Sequence, residues 1–440
     1  MKNKALFKDF ARYVSLSILG QIALSCYTLA DTFFVSAKLG ANGLTALNLA
    51  FPIFCILNGT GLMIGMGGGT KYSIYRSREE SGKADRIFTN AVYLAALFAC
   101  FFVAAGAFFS KQIVKFLGAD ETLLGMTNTY AKVMLLFAPA FLFNNLLQCF
   151  IRNDGKPSLS MAAMITGSLS NVLLDYIFIF PLDTGIFGAI FATGLAPVIS
   201  ICVMSPYLIK RKNKFRFVKS APFGTYIKEI LSSGFSPFLT EATSGIVMFL
   251  FNFIILRISG NIGVAAFGVI SVISLVVIAM YTGLSQGIQP MMSHHHGAKN
   301  AENVKSVLRY AMITMLILSG IIYAIIFCGA SGLTTIFNSE KNQTLQALAE
   351  TGLKLYFIAC PFIGFNVVLA TYFISTEKPF YAQIISLSRG FFVLIPIAFL
   401  LSALFKMTGV WCAYPMSECI VAIIGLIVYV INKHRKASTK

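Results

Sequence analysis

The chain has 440 residues, 57% of them hydrophobic and 12% charged, with a mean hydropathy of +0.77. About a quarter of the residues in a soluble domain are charged, so this composition excludes an ordinary soluble protein and points to a chain that crosses a membrane many times. The net charge of +18 does not mark a nucleic-acid binder, because the basic residues sit in short loops between apolar runs and form no single patch.

A helix needs about 20 apolar residues to cross a bilayer. Twelve runs meet that length: 10–36, 45–71, 88–110, 128–151, 158–181, 186–209, 227–257, 263–291, 304–328, 350–374, 380–404 and 408–432. They are too long and too continuous for barrel strands, so the fold class is all-α and polytopic. The first run is too long for a cleavable signal peptide and lacks an A-x-A exit. Of the 35 Lys and Arg, 26 fall on one side of the predicted membrane, in Lys2–Arg12, Lys71–Arg86, Arg152 and Lys156, Lys210–Lys228, Lys299–Arg309, Lys378 and Lys433–Lys440. The positive-inside rule then puts both termini in the cytoplasm, in a multi-pass arrangement in the cell's inner (cytoplasmic) membrane.

The most basic loop, KRKNKFRFVKS (210–220), lies mid-chain and divides six runs from six. Local echoes flank it. ANGLTAL near 41–47 matches NIGVAAF near 261–267, FNNLLQCFIRNDGKP (143–157) matches FNVVLATYFISTEKP (365–379), and GIFGAIFAT (185–193) matches GVWCAYPMS (409–417). Six crossings return the chain to its starting side, so the expected halves are parallel repeats: an N-lobe (1–209), a linker (210–226) and a C-lobe (227–440). Parallel six-span repeats are a transporter architecture, with the substrate held near the membrane midplane.

Four acids fall within spans: Asp31, Asp175, Glu241 and Glu418. An ionisable residue at membrane depth is a functional hypothesis by default. Asn171 and Asp175 lie four residues apart on one helix face, as do Tyr27 and Asp31. Asn144, Asn145 and Gln148 share a face of the fourth span, and Thr193 sits in the sixth. These groups imply a polar cavity inside the first six helices. Two carboxylates there resist joint ionisation, so the site takes up a proton, and its hard oxygens equally suit Na⁺. Glu241 follows Pro237 by one helical turn and is a second candidate proton site or cation anchor. Met280, Tyr281 and Tyr372 are placed on its side, where ordinary packing is the simpler account. Glu418 either titrates or pairs with Arg389.

Other signals carry less. The nine cysteines lie in apolar stretches without disulfide or zinc spacing. HHH (294–296) lacks the i, i+4 arrangement of helical metal ligands, so no metal site is expected, and no cofactor beyond a coupling ion. GMGGGTKYS (65–73) lacks P-loop spacing.

LADTFFVSAKLGANGLTALNLAFPI (29–53) and GLSQGIQPMMSHHHGAKN (283–300) resemble signatures of the multidrug and toxic compound extrusion (MATE) family. The likeness runs over nearly the whole chain. It implies outward antiport of a bulky, often cationic compound against H⁺ or Na⁺. It places the cation site on Asp31, Asn171, Asp175 and Thr193 and the cavity lining on Tyr27, Asn145, Gln148 and Met164, with Glu241 matching an acid of other branches. One departure is SLSILG (15–20), which stands where family members often have a proline. A lipid-linked saccharide flippase ranks lower, because the cavity residues are acidic and neutral. A membrane enzyme ranks lower still, because no metal pair or nucleophile–base set appears. Nothing in the sequence calls for an oligomer, so a functional monomer is expected.

Overall fold

The computed structural model describes residues 2–219, 224–338 and 342–437. Residues 220–223 of the expected linker lie outside this range, as do Lys341 and Lys440. The described residues hold nine helices long and apolar enough to cross a membrane, and one further pair, Glu121–Leu136 and Ala138–Asn153, that passes together with a 48° bend at Phe137. Two of these segments are each broken once and cross twice, giving twelve spans, numbered here in chain order.

Spans 1 and 2 are Lys4–Gly40 and Asn42–Ser77, span 3 is Ser81–Phe116, span 4 is the bent pair, and spans 5 and 6 are Pro157–Ile179 and Gly185–Ile209. Spans 7 and 8 divide Gly224–Gly297 at Gly260. Span 9 is Ala301–Phe337, span 10 is Gln343–Ser375, and spans 11 and 12 divide Pro379–His434 at Lys406. Span 11 contains a π-helical turn, Ser388–Phe392.

The repeat is written in the backbone. Span 1 joins span 2 at Gly40 (φ 63°, ψ −154°), and span 7 joins span 8 at Gly260 (φ 61°, ψ −155°). Glycine enters that region most readily, and these two glycine corners recur in matching places. Glu79 after span 2 and Lys299 after span 8 share a left-handed turn, as do Gly155 after span 4 and Glu377 after span 10.

Two large apolar cores follow the repeat, with an exchange in each direction: Ile230 at the start of span 7 packs into the first core, with Ile227 and Leu231 beside it. The first runs from Val35 to Ile230 and the second from Leu250 to Tyr414, but Leu6, Phe10 and Val14 at the start of span 1 pack into the second. Phe7 and Phe10 meet Tyr310 of span 9 at 5.4 and 5.5 Å between ring centroids. The start of span 1 therefore crosses to the half that sequence division assigns to spans 7–12. Exposed Leu97, Phe101 and Phe108 on span 3 and Ile317 and Ile325 on span 9 suit lipid-facing helices, where water would disfavour so much apolar surface.

The described part of the linker packs on the first half. Phe215 is fully buried there, Asp154 Oδ2 accepts from Lys214 N at 2.9 Å, and Asp85 Oδ1 accepts from Arg216 N at 3.0 Å.

Candidate functional site

Where spans 1 and 2 cross spans 7 and 8, the backbones touch. A Cβ on Gly234 would lie 1.8 Å from Met63 O, and one on Gly67 would lie 2.1 Å from Ile230 O. A Cβ on Gly283 or Gly287 of span 8 would lie 2.6 and 2.7 Å from the backbone of Ile18 and Val14 of span 1. Further along, a Cβ on Gly245 would stand 3.6 Å from Pro52 Cα. The halves are thus pressed together at the ends that carry the basic loops, and further along, at Gly245, the approach relaxes to ordinary van der Waals contact.

Polar side chains seal the pressed end. Asn153 Nδ2 donates to Gln289 Oε1 at 3.0 Å, and Gln289 Nε2 donates to Thr70 Oγ1 at 2.8 Å. Ser73 Oγ donates to Pro290 O at 3.4 Å.

The four cation-site candidates come together inside the first half. Asp31, Asn171, Asp175 and Thr193 are all buried. With its amide turned to satisfy both neighbours, Asn171 donates to Asp175 Oδ2 at 3.0 Å and accepts from Thr193 N at 3.2 Å. Thr193 Oγ1 donates to Ala189 O one turn back, and the carboxylates of Asp31 and Asp175 are near enough to repel each other. Asp31 Oδ1 and Asp175 Oδ1 accept no hydrogen bond from the described residues. Buried carboxylate oxygens without donors are costly, and a proton or a hard cation is the chemistry that satisfies them. Tyr130 of span 4 is buried beside Thr193, within electrostatic reach of both carboxylates. Sequence reasoning missed it, because a lone tyrosine in an apolar run carries no signal of its own.

The cavity-lining candidates divide. Tyr27 faces Asp31 and Asp175. Met164 shares the buried face of span 5 with Asn171 and Asp175, and its Sδ lies 2.9 Å from where a Cβ on Gly20 of span 1 would be. Gln148 Nε2 donates to Asn144 Oδ1 at 3.0 Å. Asn145 Nδ2 donates to Asn58 Oδ1 at 2.9 Å, and Asn58 Nδ2 donates to Glu241 Oε2 at 3.2 Å. Glu241 is therefore tied across the seam to spans 2 and 4. The linking Asn58 was not singled out from sequence, since one amide in span 2 has no partner visible along the chain.

Met280, Tyr281 and Tyr372 do not gather around Glu241. Tyr281 is fully buried, with its hydroxyl 2.6 Å from Ser319 Oγ. Met280 packs on the same core, and Tyr372 packs against Phe373 and Tyr429. Glu418 pairs with Arg389 of the π-helical turn at 2.8 Å and accepts from Asn366 Nδ2 at 2.7 Å. Of the three consecutive histidines 294–296, His296 lies 3.5 Å from Glu377, while His294 and His295 meet edge to face.

Parallel six-span halves, closed at one end over buried acids, define a membrane transporter. Residues 17–177 and 238–400 match the MatE family model, and the chain belongs to that family. It is 25% identical over 434 residues to the multidrug export protein MepA of Staphylococcus saprophyticus, covering 98% of this chain and 95% of that one. The Staphylococcus aureus MRSA252 protein of the same name is 24% identical over 437 residues, covering 99% and 96%. Among solved structures, an outward-facing multidrug resistance MATE family transporter of the MOP superfamily superposes with a TM-score of 0.91 at 22% identity, over 97% of this chain and 95% of that one. A MOP superfamily transporter from Pyrococcus furiosus gives 0.90 at 23% identity, over the same shares. At these identities the structures speak for the fold. The curated relatives are transporters, not enzymes.

Proposed function

We propose that the protein exports bulky, often cationic drug-like compounds from the cytoplasm in exchange for H⁺ or Na⁺. The observation that carries this reading is the pair Asp31 and Asp175, buried together with one oxygen each that no donor satisfies. The names of the curated relatives supply the substrate class.

In this reading the membrane is the cytoplasmic one and both termini and the pressed end face the cytoplasm, as the basic loops require. A single chain suffices, working as an N-lobe (1–209) and a C-lobe (227–440) joined by the linker 210–226. Asp31, Asp175, Asn171 and Thr193 hold the coupling ion. Tyr27, Asn145, Gln148, Met164 and Glu241 border the compound, while Tyr281 and Met280 act as packing for the C-lobe.

The physical steps follow from charge. With one oxygen of each carboxylate lacking a donor, the first-half site attracts a cation. Loading it with H⁺ or Na⁺ removes that negative charge and lowers its affinity for a cationic compound. An ion drives the lobes from one access state to the other only through its different affinity for the two states. Dye efflux from proteoliposomes under an imposed pH gradient, and then a Na⁺ gradient, tests the reading and selects the ion.

A further inference from the structure

Span 10 ends at Ser375, and the chain turns through Thr376 and Glu377 before span 11 begins at Pro379. Glu377 takes φ +58°, a left-handed conformation that glycine enters freely and other residues enter at a cost. The echo of 143–157 in 365–379 sets Glu377 opposite Gly155, which makes the same turn at φ +87°. The two turns also share their backbone bonds. Gly155 N and Glu377 N each donate three residues back at 3.3 Å, and Lys156 N and Lys378 N each donate five residues back, at 3.1 and 2.9 Å. A glutamate thus stands where the repeat places the residue that the backbone favours. Local structure gives no reason for it.

The carboxylate's contacts do. Glu377 Oε1 accepts from Lys71 Nζ at 2.9 Å, and Oε2 accepts from Arg78 Nη2 at 2.5 Å. Lys71 lies in span 2 and Arg78 just beyond it, both in the first half, whereas Glu377 belongs to the second. His296, at the end of span 8, approaches from the second half at 3.5 Å. Among the described residues, every ion pair that joins the two halves ends on Glu377. The other seam bonds at this end are neutral, apart from Tyr75 OH donating to Glu229 at 2.9 and 3.0 Å and the Arg152 guanidinium donating to the backbone Gln286 O at 3.4 Å; neither is an ion pair.

We propose that Glu377 is the latch of the closed end: its carboxylate clamps Lys71 and Arg78 of the first half to the second, and the halves part on this side only when that clamp lets go. The hydrogen bond from His296, then Lys71 and Arg78, hold the carboxyl well below the usual carboxylate range against its partial burial, so the latch stays charged in the cell. The strained turn is the cost of placing a carboxylate at this point of the seam. The latch deepens the transport reading, since opening and closing is what transport uses, but it can be tested without substrate or ion gradient.

Ser73 supplies the reporter, being buried in the seam at 3% exposure. In the full-length protein in inside-out vesicles, a membrane-impermeant thiol reagent is applied to Ser73→Cys, and labelling at that residue is read by peptide mass. Glu377→Gln and Lys71→Gln are each expected to speed labelling several-fold. The double variant should label no faster than Glu377→Gln alone, because the two residues act as one unit. Glu377→Gly relieves the turn, so it should keep or raise the Tm and still label as fast as Glu377→Gln. Labelling unchanged in Glu377→Gln and Glu377→Gly, or a double variant showing two independent additive effects, would overturn the latch. A lower Tm in Glu377→Gly with unchanged labelling would assign Glu377 a merely structural role. A drug-efflux failure with the labelling pattern intact would remove the transport reading and leave the latch standing.

Discussion

Glu241 of span 7 is held at 3.2 Å by Asn58 of span 2, and through Asn58 it is tied to Asn145 of span 4. The acid of the second half therefore addresses the cavity of the first. In the proposed transport reading Glu241 borders the transported compound, and the coupling ion is held separately at Asp31 and Asp175. Glu241→Gln should raise the KM for cationic substrates while ion-driven efflux persists, and Asn58→Leu should do the same more weakly. Complete loss of gradient-driven transport in Glu241→Gln would make Glu241 the coupling acid instead.

The pressed end depends on glycines that meet opposing backbone, Gly67 and Gly234 most closely. Gly234→Val puts side-chain atoms where Met63 O stands 1.8 Å from the Cβ position, so spans 2 and 7 cannot close. This variant should insert normally, lose efflux and label rapidly at Ser73→Cys. Gly268→Ala, which meets nothing within 4 Å, serves as the silent control. Normal efflux in Gly234→Val would contradict the closed seam.

Arg389 and Glu418 form a buried ion pair within the membrane, supported by Asn366. Removing one partner of such a pair costs about 3–5 kcal/mol, whereas replacing both with apolar residues is close to neutral. Arg389→Met and Glu418→Leu should each lower the Tm in detergent, and the double variant should recover most of the loss. Equal losses that simply add would show that the pair is not coupled.

Glu377 has a lowered pKa in the fold, so its contribution is present above the ordinary carboxylate range and is lost only as pH falls through the folded value. The gap in labelling rate between wild type and Glu377→Gln should therefore be as wide at about pH 5 as at about pH 8. A gap that closes by about pH 5 would contradict the assignment.

The spans and their repeat were legible because a bilayer imposes length and apolarity on every crossing, and because three local echoes, such as ANGLTAL near 41–47 and NIGVAAF near 261–267, recur in the same order. Asp31, Asp175 and Asn171 were legible because a charge or amide in an apolar run stands out against its neighbours. What stayed hidden depends on contacts between distant segments. Tyr130 and Asn58 become site residues only through partners that packing supplies. Glu377 read as one more loop acid, although its place opposite Gly155 in the echo was already a signal. The start of span 1 reads as the first half by position, yet Phe10 and Val14 pack with the second, an exchange that hydropathy does not encode.

The most direct test of the central claim is ethidium efflux from proteoliposomes carrying wild type or Asp31→Asn, under an imposed pH gradient and then an imposed Na⁺ gradient. The account predicts efflux driven by one gradient in wild type and its loss in a folded Asp31→Asn. Undiminished gradient-driven efflux in Asp31→Asn would contradict the assignment of the coupling ion to the buried pair.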